Sequence, residues 1–383
     1  MKKALIITTI SGFLAQFELN DVALLQELGY EVHYASNFEN PVYEFDEKRL
    51  REQGIRLHNI DIQKSPRQIR ANSKAFRQLR VIIDRERIDL IHCHNPVGAV
   101  VARCAAFASK ERPLVIYTAH GFHFFEGAPK LNWMIFYPVE RFLARFTNVI
   151  VTINEEDYCR ASKFRLKKPG FVERIPGVGV DLQRFGKKGI TNSQDLVPEG
   201  GFHIVTAAEL NENKNQRVII EAIHQLPYND IYYSICGKGM LEQELRELIA
   251  DYQLEDRIKL LGYRNDMDEI LQTADCFAFP SYREGLGIAA IEALACEVPL
   301  IAAKNRGTKE YVKENVNGIF CEAGNAESFA KAIEKLYTDR KYREQLAEGC
   351  RQSALAFGSE ETIAKMKQVY KKADWYVENR KKG

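Results

Sequence analysis

Along this chain short apolar runs alternate with longer stretches whose apolar residues recur every three or four positions, the pattern of βα units feeding a parallel sheet. In the first half the strand-like runs are residues 4–8, 31–35, 56–60, 90–93, 114–118 and 149–153, with helical stretches beginning near Phe13, Pro66, Pro96, Asn132 and Glu155. A second series occupies residues 203–206, 231–235, 258–260, 276–279, 300–303 and 318–320. Between the two series, residues 175–185 carry Pro176, Gly177 and Gly179, and the polar stretch 186–201 reads as a linker. The expected architecture is α/β with two Rossmann-like βα domains, residues 1–183 and 184–359, and a last helix over 360–383.

The opening MKKALIITTI imitates a secretory signal, with two lysines ahead of apolar residues. Its apolar run is short and no small-x-small cleavage site follows, so it is expected to be a buried first strand. No apolar run approaches the roughly 18 residues that a membrane span needs.

Composition adds limits. The 383 residues are 45% hydrophobic and 28% charged, ordinary for a folded globular chain and unlike a disordered one. Eight cysteines are scattered without a Cys-x-x-Cys pair, as in a cytosolic protein with reduced thiols. A net charge of +2 gives no ground for a nucleic-acid partner. The charge is uneven, however: residues 1–180 hold 26 basic against 20 acidic side chains, and the remainder 28 against 32. The amino-terminal half is the better candidate to meet an anionic surface.

The stretch around which the chain is organised is residues 278–308, AFPSYREGLGIAAIEALACEVPLIAAKNRGT. An apolar strand ends near Pro280, a glycine-bearing loop follows, and then an apolar helix containing Glu292. Ile288, Ala289, Ile291, Ala293, Leu294 and Ala295 leave that helix no polar face, and a carboxylate is seldom buried without a partner. Glu292 therefore either pairs with an Arg or a backbone donor, or holds a ligand. Glu284 stands eight residues earlier, at the strand-to-helix junction where open α/β sheets bind ligands. The amides of Gly285, Leu286 and Gly287 offer an anion site at the helix start. Phosphate beside hydroxyls points to a nucleotide sugar.

Glu284 and Glu292 form a Glu-x7-Glu pattern, and with PSYREGLG before it and EALACEVPLIA after it the stretch resembles the donor site of family 4 retaining glycosyltransferases, which have the GT-B fold. The resemblance implies two Rossmann-like domains facing a cleft, an acceptor-binding domain first, and a final helix that crosses back to it. It implies that Glu292 holds ribose hydroxyls and Glu284 hexose hydroxyls of a UDP-sugar. Lys214 matches the diphosphate-binding Lys of the family, whereas Glu209 replaces the Arg usually found five residues before it. Since a carboxylate cannot neutralise a diphosphate, Arg283 or Lys238 is expected to supply the second cation, or else Glu209 contacts the sugar or acceptor. Gly237 and Gly239 form a weak phosphate-turn candidate, and without a third glycine they fail the dinucleotide pattern. Tyr263 and Arg264 lie in a segment resembling the one whose backbone reads the base.

In the first domain Gly12 follows the first strand and corresponds to the family's first glycine loop. His92, His94, His120 and His123 follow strands and are expected near one sheet edge; with no acidic ligand nearby in sequence, metal binding is not expected. His120 matches the family histidine beside the donor sugar; the alternative is a hydrogen-bonded turn residue. The implied chemistry is front-face transfer without a metal, the leaving diphosphate being stabilised by Lys214 and helix amides. The phrases YTAHGFHFFEGAPKLNWMIFYPVER and TINEEDYCRA look like bacterial enzymes that build capsule or exopolysaccharide units on a polyprenyl-diphosphate lipid.

Such an enzyme is expected in the cytoplasm, peripheral on the inner face of the membrane. Arg67, Arg70, Lys74, Arg77 and Arg80 make a basic stripe beside a core face of Ile69, Phe76, Leu79 and Ile83, without interspersed acids. Trp133, Phe136 and Tyr137 with Arg141 and Arg145 suit an interfacial helix, unless these aromatic residues are core. Two other classes remain: a two-domain sugar-nucleotide enzyme of the epimerase or oxidoreductase kind, and a catalytically silent GT-B binding protein, at which Glu209 alone hints.

Overall fold

The computed structural model describes residues 1–39, 41, 43–188 and 196–382, so the middle of the expected linker, 189–195, lies outside the described residues. The chain divides into two compact units, Met1–Val178 with Glu360–Gly383, and Gly179–Ser359.

Unit 1 carries β1 (Lys2–Ile7), β2 (Tyr30–Ser36), β3 (Arg56–Asn59), β4 (Leu90–His94), β5 (Leu114–Ala119), β6 (Val149–Thr152) and β7 (Phe171–Arg174). They form one seven-stranded sheet in the order β3-β2-β1-β4-β5-β6-β7, with every pairing parallel. Its helices are α1 (Leu19–Glu27), preceded by a π-helical turn Leu14–Glu18, then α2 (Glu47–Glu52), α3 (Ile69–Glu86), α4 (Pro96–Ala108), α5 (Lys130–Leu143) and α6 (Glu155–Ala161). Helices on both faces explain why the strands are unbroken apolar runs: Ala4, Leu5, Ile6 and Ile7 are all 0% exposed.

Unit 2 repeats the plan with β8 (Phe202–Ala207), β9 (Ile231–Cys236), β10 (Ile258–Gly262), β11 (Cys276–Phe279), β12 (Leu300–Ala303) and β13 (Gly318–Cys321). Their order is β10-β9-β8-β11-β12-β13, again with parallel pairs only. The helices are α7 (Arg217–His224), α8 (Glu242–Asp251), α9 (Met267–Gln272), α10 (Ile288–Ala295), α11 (Ala326–Thr338) and α12 (Arg340–Leu355). In each sheet the chain winds to one edge, returns to the centre and winds to the other. The reversal points are β1/β4 and β8/β11, and there the loops splay apart to leave a crevice beyond the strand ends.

The last helix, α13 (Ser359–Lys382), packs within unit 1. Val369, Tyr370 and Ala373 are buried, and Tyr30 donates to Asp374 at 2.7 Å. Among the described residues no helix is long and apolar enough to cross a membrane.

All twelve expected apolar runs lie in strands. In unit 1 two elements were not legible. The edge strand β7 has four residues, too few for alternation to register, and α2 has six, of which only Leu50 is buried. In addition α3 begins at Ile69 rather than Pro66, so Arg67 sits in the turn before it.

Candidate functional site

In unit 2 the chain leaves β8 and β11 at the same edge of the sheet, and backbone bonds lock the two loops together. Asn213 accepts from the Tyr282 amide at 2.9 Å, and its Nδ2 donates to the Arg283 carbonyl at 3.0 Å. Lys214 lies in the turn ahead of α7 rather than on it, next to Asn215 with its positive φ of 53°. The result is an ion pair between residues 70 apart in sequence: Lys214 Nζ donates to Glu284 Oε1 at 2.6 Å, with the side chains 22% and 10% exposed.

A third loop, after β12, fixes Glu284 from the other side. Arg306 Nε donates to the Glu284 carbonyl at 3.2 Å, and Asn305 Nδ2 to the Ser281 carbonyl at 2.9 Å. Gly307 is packed so closely that a Cβ would stand 2.8 Å from Glu284 Cβ. Sequence reading gave these three residues no role; the polar NRGT directly after an apolar strand was the available signal.

Gly287 precedes α10 at φ 102°, and a Cβ there would meet the Phe279 ring at 2.6 Å and Tyr311 Oη at 2.8 Å. Only glycine fits. Of the three residues expected to give amides to an anion, Leu286 is buried and Gly285 makes an interaction within the protein. The first amides of α10, at Ile288 and Ala289, lack intrahelical acceptors. Ser281 Oγ and Tyr311 Oη are buried without a hydrogen-bond partner among the described residues.

Glu292 is half-buried on α10 between buried Ile291 and Ala293. Desolvation pushes its carboxyl up to about 7, the positive Arg184 opposes the rise, and Asp268 adds to it. Among the described residues no hydrogen bond or ion pair engages this carboxylate, so the structural-partner alternative has no counterpart.

The other expected donor residues are placed less tellingly. Glu209, Lys238, Arg283 and Tyr263 are exposed. Gly237 and Gly239 serve packing rather than an approaching phosphate: a Cβ at either would lie 1.8 Å from the Ala208 carbonyl oxygen or 2.2 Å from that of Leu210. Arg264 is held by Asp266, with Nε donating to Oδ1 at 2.8 Å.

In unit 1 the histidines do gather, and with them two acids the sequence did not connect. His94 Nδ1 and His120 Nε2 are 3.1 Å apart, and His92 bonds Thr118 and Tyr370, each at 2.7 Å. Asp21 lies 3.5 Å from His92 Nδ1 and Glu18 3.4 Å from His94 Nδ1. Burial holds the imidazoles neutral, pushing His120 down to about 4 and His92 to about 3. It raises Glu18 and takes Asp21 to about 6, the two carboxyls sharing a hydrogen bond. Glu18, His94 and His120 bring three ligand atoms within 4.8 Å of one another, so an acid that is not nearby in sequence is nearby in space. The acid comes from the π-helical turn, more than seventy positions away. His123 stands apart, its ring 4.6 Å from that of Phe136.

Gly12 is buried, and a Cβ on it would lie 2.5 Å from the Tyr43 carbonyl oxygen. The close approach expected for substrate is made by the chain itself.

On the outer helices the basic residues Arg67, Arg70, Lys74 and Arg77 are exposed. Lys74 nevertheless has an acid, Asp61 at 2.9 Å, supplied from the loop after β3. Ile69, expected in the core, is 70% exposed at the first position of α3. On α5 the phase is the reverse of the aromatic reading. Trp133 turns inward, Nε1 donating to the Phe125 carbonyl at 3.2 Å with Arg160 4.5 Å above its ring. Leu131, Met134, Ile135, Val139 and Phe142 face out, between 41% and 74% exposed.

Comparison with known proteins followed the same division. The family described as "Glycosyl transferases group 1" matches residues 190–353, and "Glycosyl transferase 4-like" matches residues 4–154. The chain is 36% identical over 378 residues to the putative glycosyltransferase EpsD of Bacillus subtilis, covering 96% of each. It is 28% identical over 307 residues, 78% of this chain and 79% of the other, to the UDP-Gal:alpha-D-GlcNAc-diphosphoundecaprenol alpha-1,3-galactosyltransferase of Escherichia coli. Among solved structures, Anabaena Alr3699/HepE in complex with UDP-glucose aligns over 97% of this chain and all of that one with TM-score 0.75 at 19% identity, a likeness of fold.

Proposed function

Because this chain belongs to the group 1 glycosyl transferases, we propose that it is a retaining transferase carrying a hexose or N-acetylhexosamine from a UDP-sugar to a saccharide on polyprenyl diphosphate, in the synthesis of a bacterial surface polysaccharide. The observation that carries this reading is the Lys214–Glu284 pair at the mouth of α10, with the unpartnered Glu292 on the same helix. The Escherichia coli relative, whose name prints a UDP-sugar and a diphosphoundecaprenol acceptor, supports the choice of donor and acceptor.

Each group has work suited to its chemistry. An ammonium has three N–H donors, and Glu284 takes one from Lys214, which leaves two for a diphosphate. The amides opening α10 add partial positive charge where the leaving group's negative charge grows. Glu284, steadied by Lys214 and the loop after β12, accepts from sugar hydroxyls. Glu292 accepts from the ribose diol; two hydroxyl donors compensate a carboxylate that the protein leaves unbonded. With both carboxylates holding hydroxyls, neither is free as a nucleophile, which favours front-face transfer: a diphosphate oxygen takes the acceptor proton as the sugar passes across. Lys214 and the amides supply the electrophilic assistance, so the reaction proceeds without a metal. His120, neutral in its buried setting, offers an N–H or a lone pair to a sugar hydroxyl rather than a charge.

The protein works at an anionic membrane surface through unit 1, where Arg70, Lys74 and Arg77 and the outward apolar face of α5 combine charge with insertion. The decisive assay is UDP release from a panel of UDP-sugars with and without a polyprenyl-diphosphate saccharide. Acceptor-dependent release is expected; UDP-sugar binding without any release would assign the silent binding role instead.

A further inference from the structure

Unit 1 contains a cavity of about 1030 Å³ enclosed by α3, α4, α5 and the loop after β5. That is at the upper end of the roughly 300–1,000 Å³ usual for small-molecule pockets. Its wall is apolar: Phe76 comes from α3, Val97 and Val100 from α4, Phe122 and Phe124 from the loop, and Phe136 from α5. Polar side chains are fewer on it, and two of them, Asn72 and Asn95, already bond within the protein, at 2.9 Å to the Gln63 amide and 3.1 Å to the Thr9 amide. The one carboxylate on it, Glu140, is matched by the fully buried Arg103, at 2.8 Å and 3.1 Å. At the opening the character changes. Lys64, Arg67 and Arg77 line the rim as exposed cations, and among the described residues no acidic side chain joins them there. Ile69, Ile135 and Val139 line the cavity and are also 70%, 48% and 41% exposed, so the apolar wall continues onto the outward face of α5. At its other end the cavity reaches Thr9, Asn95 and Gly121 at the carboxyl edge of the sheet, next in sequence to His120.

We propose that this cavity holds the isoprene units of the acceptor nearest its diphosphate, with Lys64, Arg67 and Arg77 around the phosphates. The inference rests on the acceptor class proposed above. An apolar interior with a cationic rim complements a ligand that is a hydrocarbon chain ending in a doubly charged phosphate group. Continuity with the exposed α5 face gives the chain a path from a membrane without crossing water.

The test uses the full chain and farnesyl diphosphate below its aggregation threshold, with inorganic diphosphate as reference, in titration calorimetry. Wild type should bind the prenyl compound at least tenfold more tightly than inorganic diphosphate. Val100→Trp, which fills the cavity, and Ser73→Trp, which obstructs its opening from an exposed position, should each lose that tenfold advantage and keep wild-type UDP affinity. Equal affinity of wild type for the two probes would overturn the proposal. So would prenyl binding undiminished in both variants. Displacement of farnesyl diphosphate by an equal concentration of dioleoyl phosphatidic acid would give the cavity to acyl chains and overturn it as well. Failure of the transferase reading looks different: no acceptor-dependent UDP release, whatever the prenyl affinity. Conversely, turnover with an unchanged acceptor KM in both Trp variants would uphold the transferase and reject the chain site.

Discussion

Lys214 and Glu284, separated by 70 positions, meet at 2.6 Å because Asn213 stitches the loop after β8 to the loop after β11. The pair is partly buried, so each charge compensates the other's desolvation until a donor arrives. Lys214→Ala should lower turnover about a hundredfold or more, the scale for losing one preorganised electrostatic contact to the leaving group. In the ligand-free protein, a double-mutant cycle of Lys214→Ala with Glu284→Ala should give a coupling of about 1–3 kcal/mol in urea denaturation. Effects that simply add would mean the pair contributes nothing in solution.

Glu292 should govern nucleotide affinity. Glu292→Ala is expected to weaken UDP binding by roughly 1.5–3 kcal/mol, the range for hydrogen bonds to a charged group. Unchanged affinity in calorimetry would remove Glu292 from the ribose role.

The same carboxyl gives a pH signature. Its folded-state value, raised from 4.5 to about 7 by desolvation, means the folded protein holds this proton more tightly than the unfolded chain does. Stability from this group is therefore full below about 4.5 and is lost as pH rises toward 7, after which it is level. Glu292→Gln should flatten that fall and be more stable than wild type at pH 8 by on the order of 1 kcal/mol. Identical pH–stability profiles would contradict the desolvated setting.

Glu18, His94 and His120 bring three ligand atoms within 4.8 Å of one another, whereas the proposed transfer takes its electrostatics from Lys214 and α10. Activity should survive prolonged treatment with excess chelator. Complete loss with EDTA, restored by manganese or magnesium, would move the catalytic charge to a metal.

Membrane docking should depend on salt and on two surfaces. Wild type is expected to sediment with anionic liposomes at low salt and to release as ions screen the attraction. Replacing Arg70, Lys74 and Arg77 with Gln removes three charges worth roughly 1 kcal/mol each near an anionic leaflet, and should abolish sedimentation while sparing UDP binding. Met134→Asp with Val139→Asp should do the same through the apolar face. If both variants sediment like wild type, these surfaces are merely solvated.

The strands were legible from local pattern, because a parallel sheet covered on both faces demands unbroken apolar runs, and so was Glu292 as a carboxylate without a polar face to occupy. Gly287 was legible for a local reason, since the left-handed turn ahead of a helix requires glycine, whereas Lys214 was marked only through the family resemblance. Tertiary structure alone decided the rest. Glu18 joined the histidines, and Asn305, Arg306 and Gly307 joined Glu284, because β-strand order brings loops distant in sequence to one sheet edge, and no local pattern records that order. Gly12, Gly237 and Gly239 proved to make room for neighbouring main chain, a close approach that spacing cannot tell from one to a ligand. On α5 Trp133, Phe136 and Tyr137 turned inward while Leu131, Met134, Val139 and Phe142 stayed out, since helix phase is set by what the helix packs on. The rings of Trp133, Phe136 and Tyr137 cover more core than aliphatic side chains do, and burial in that core outweighed their affinity for an interface.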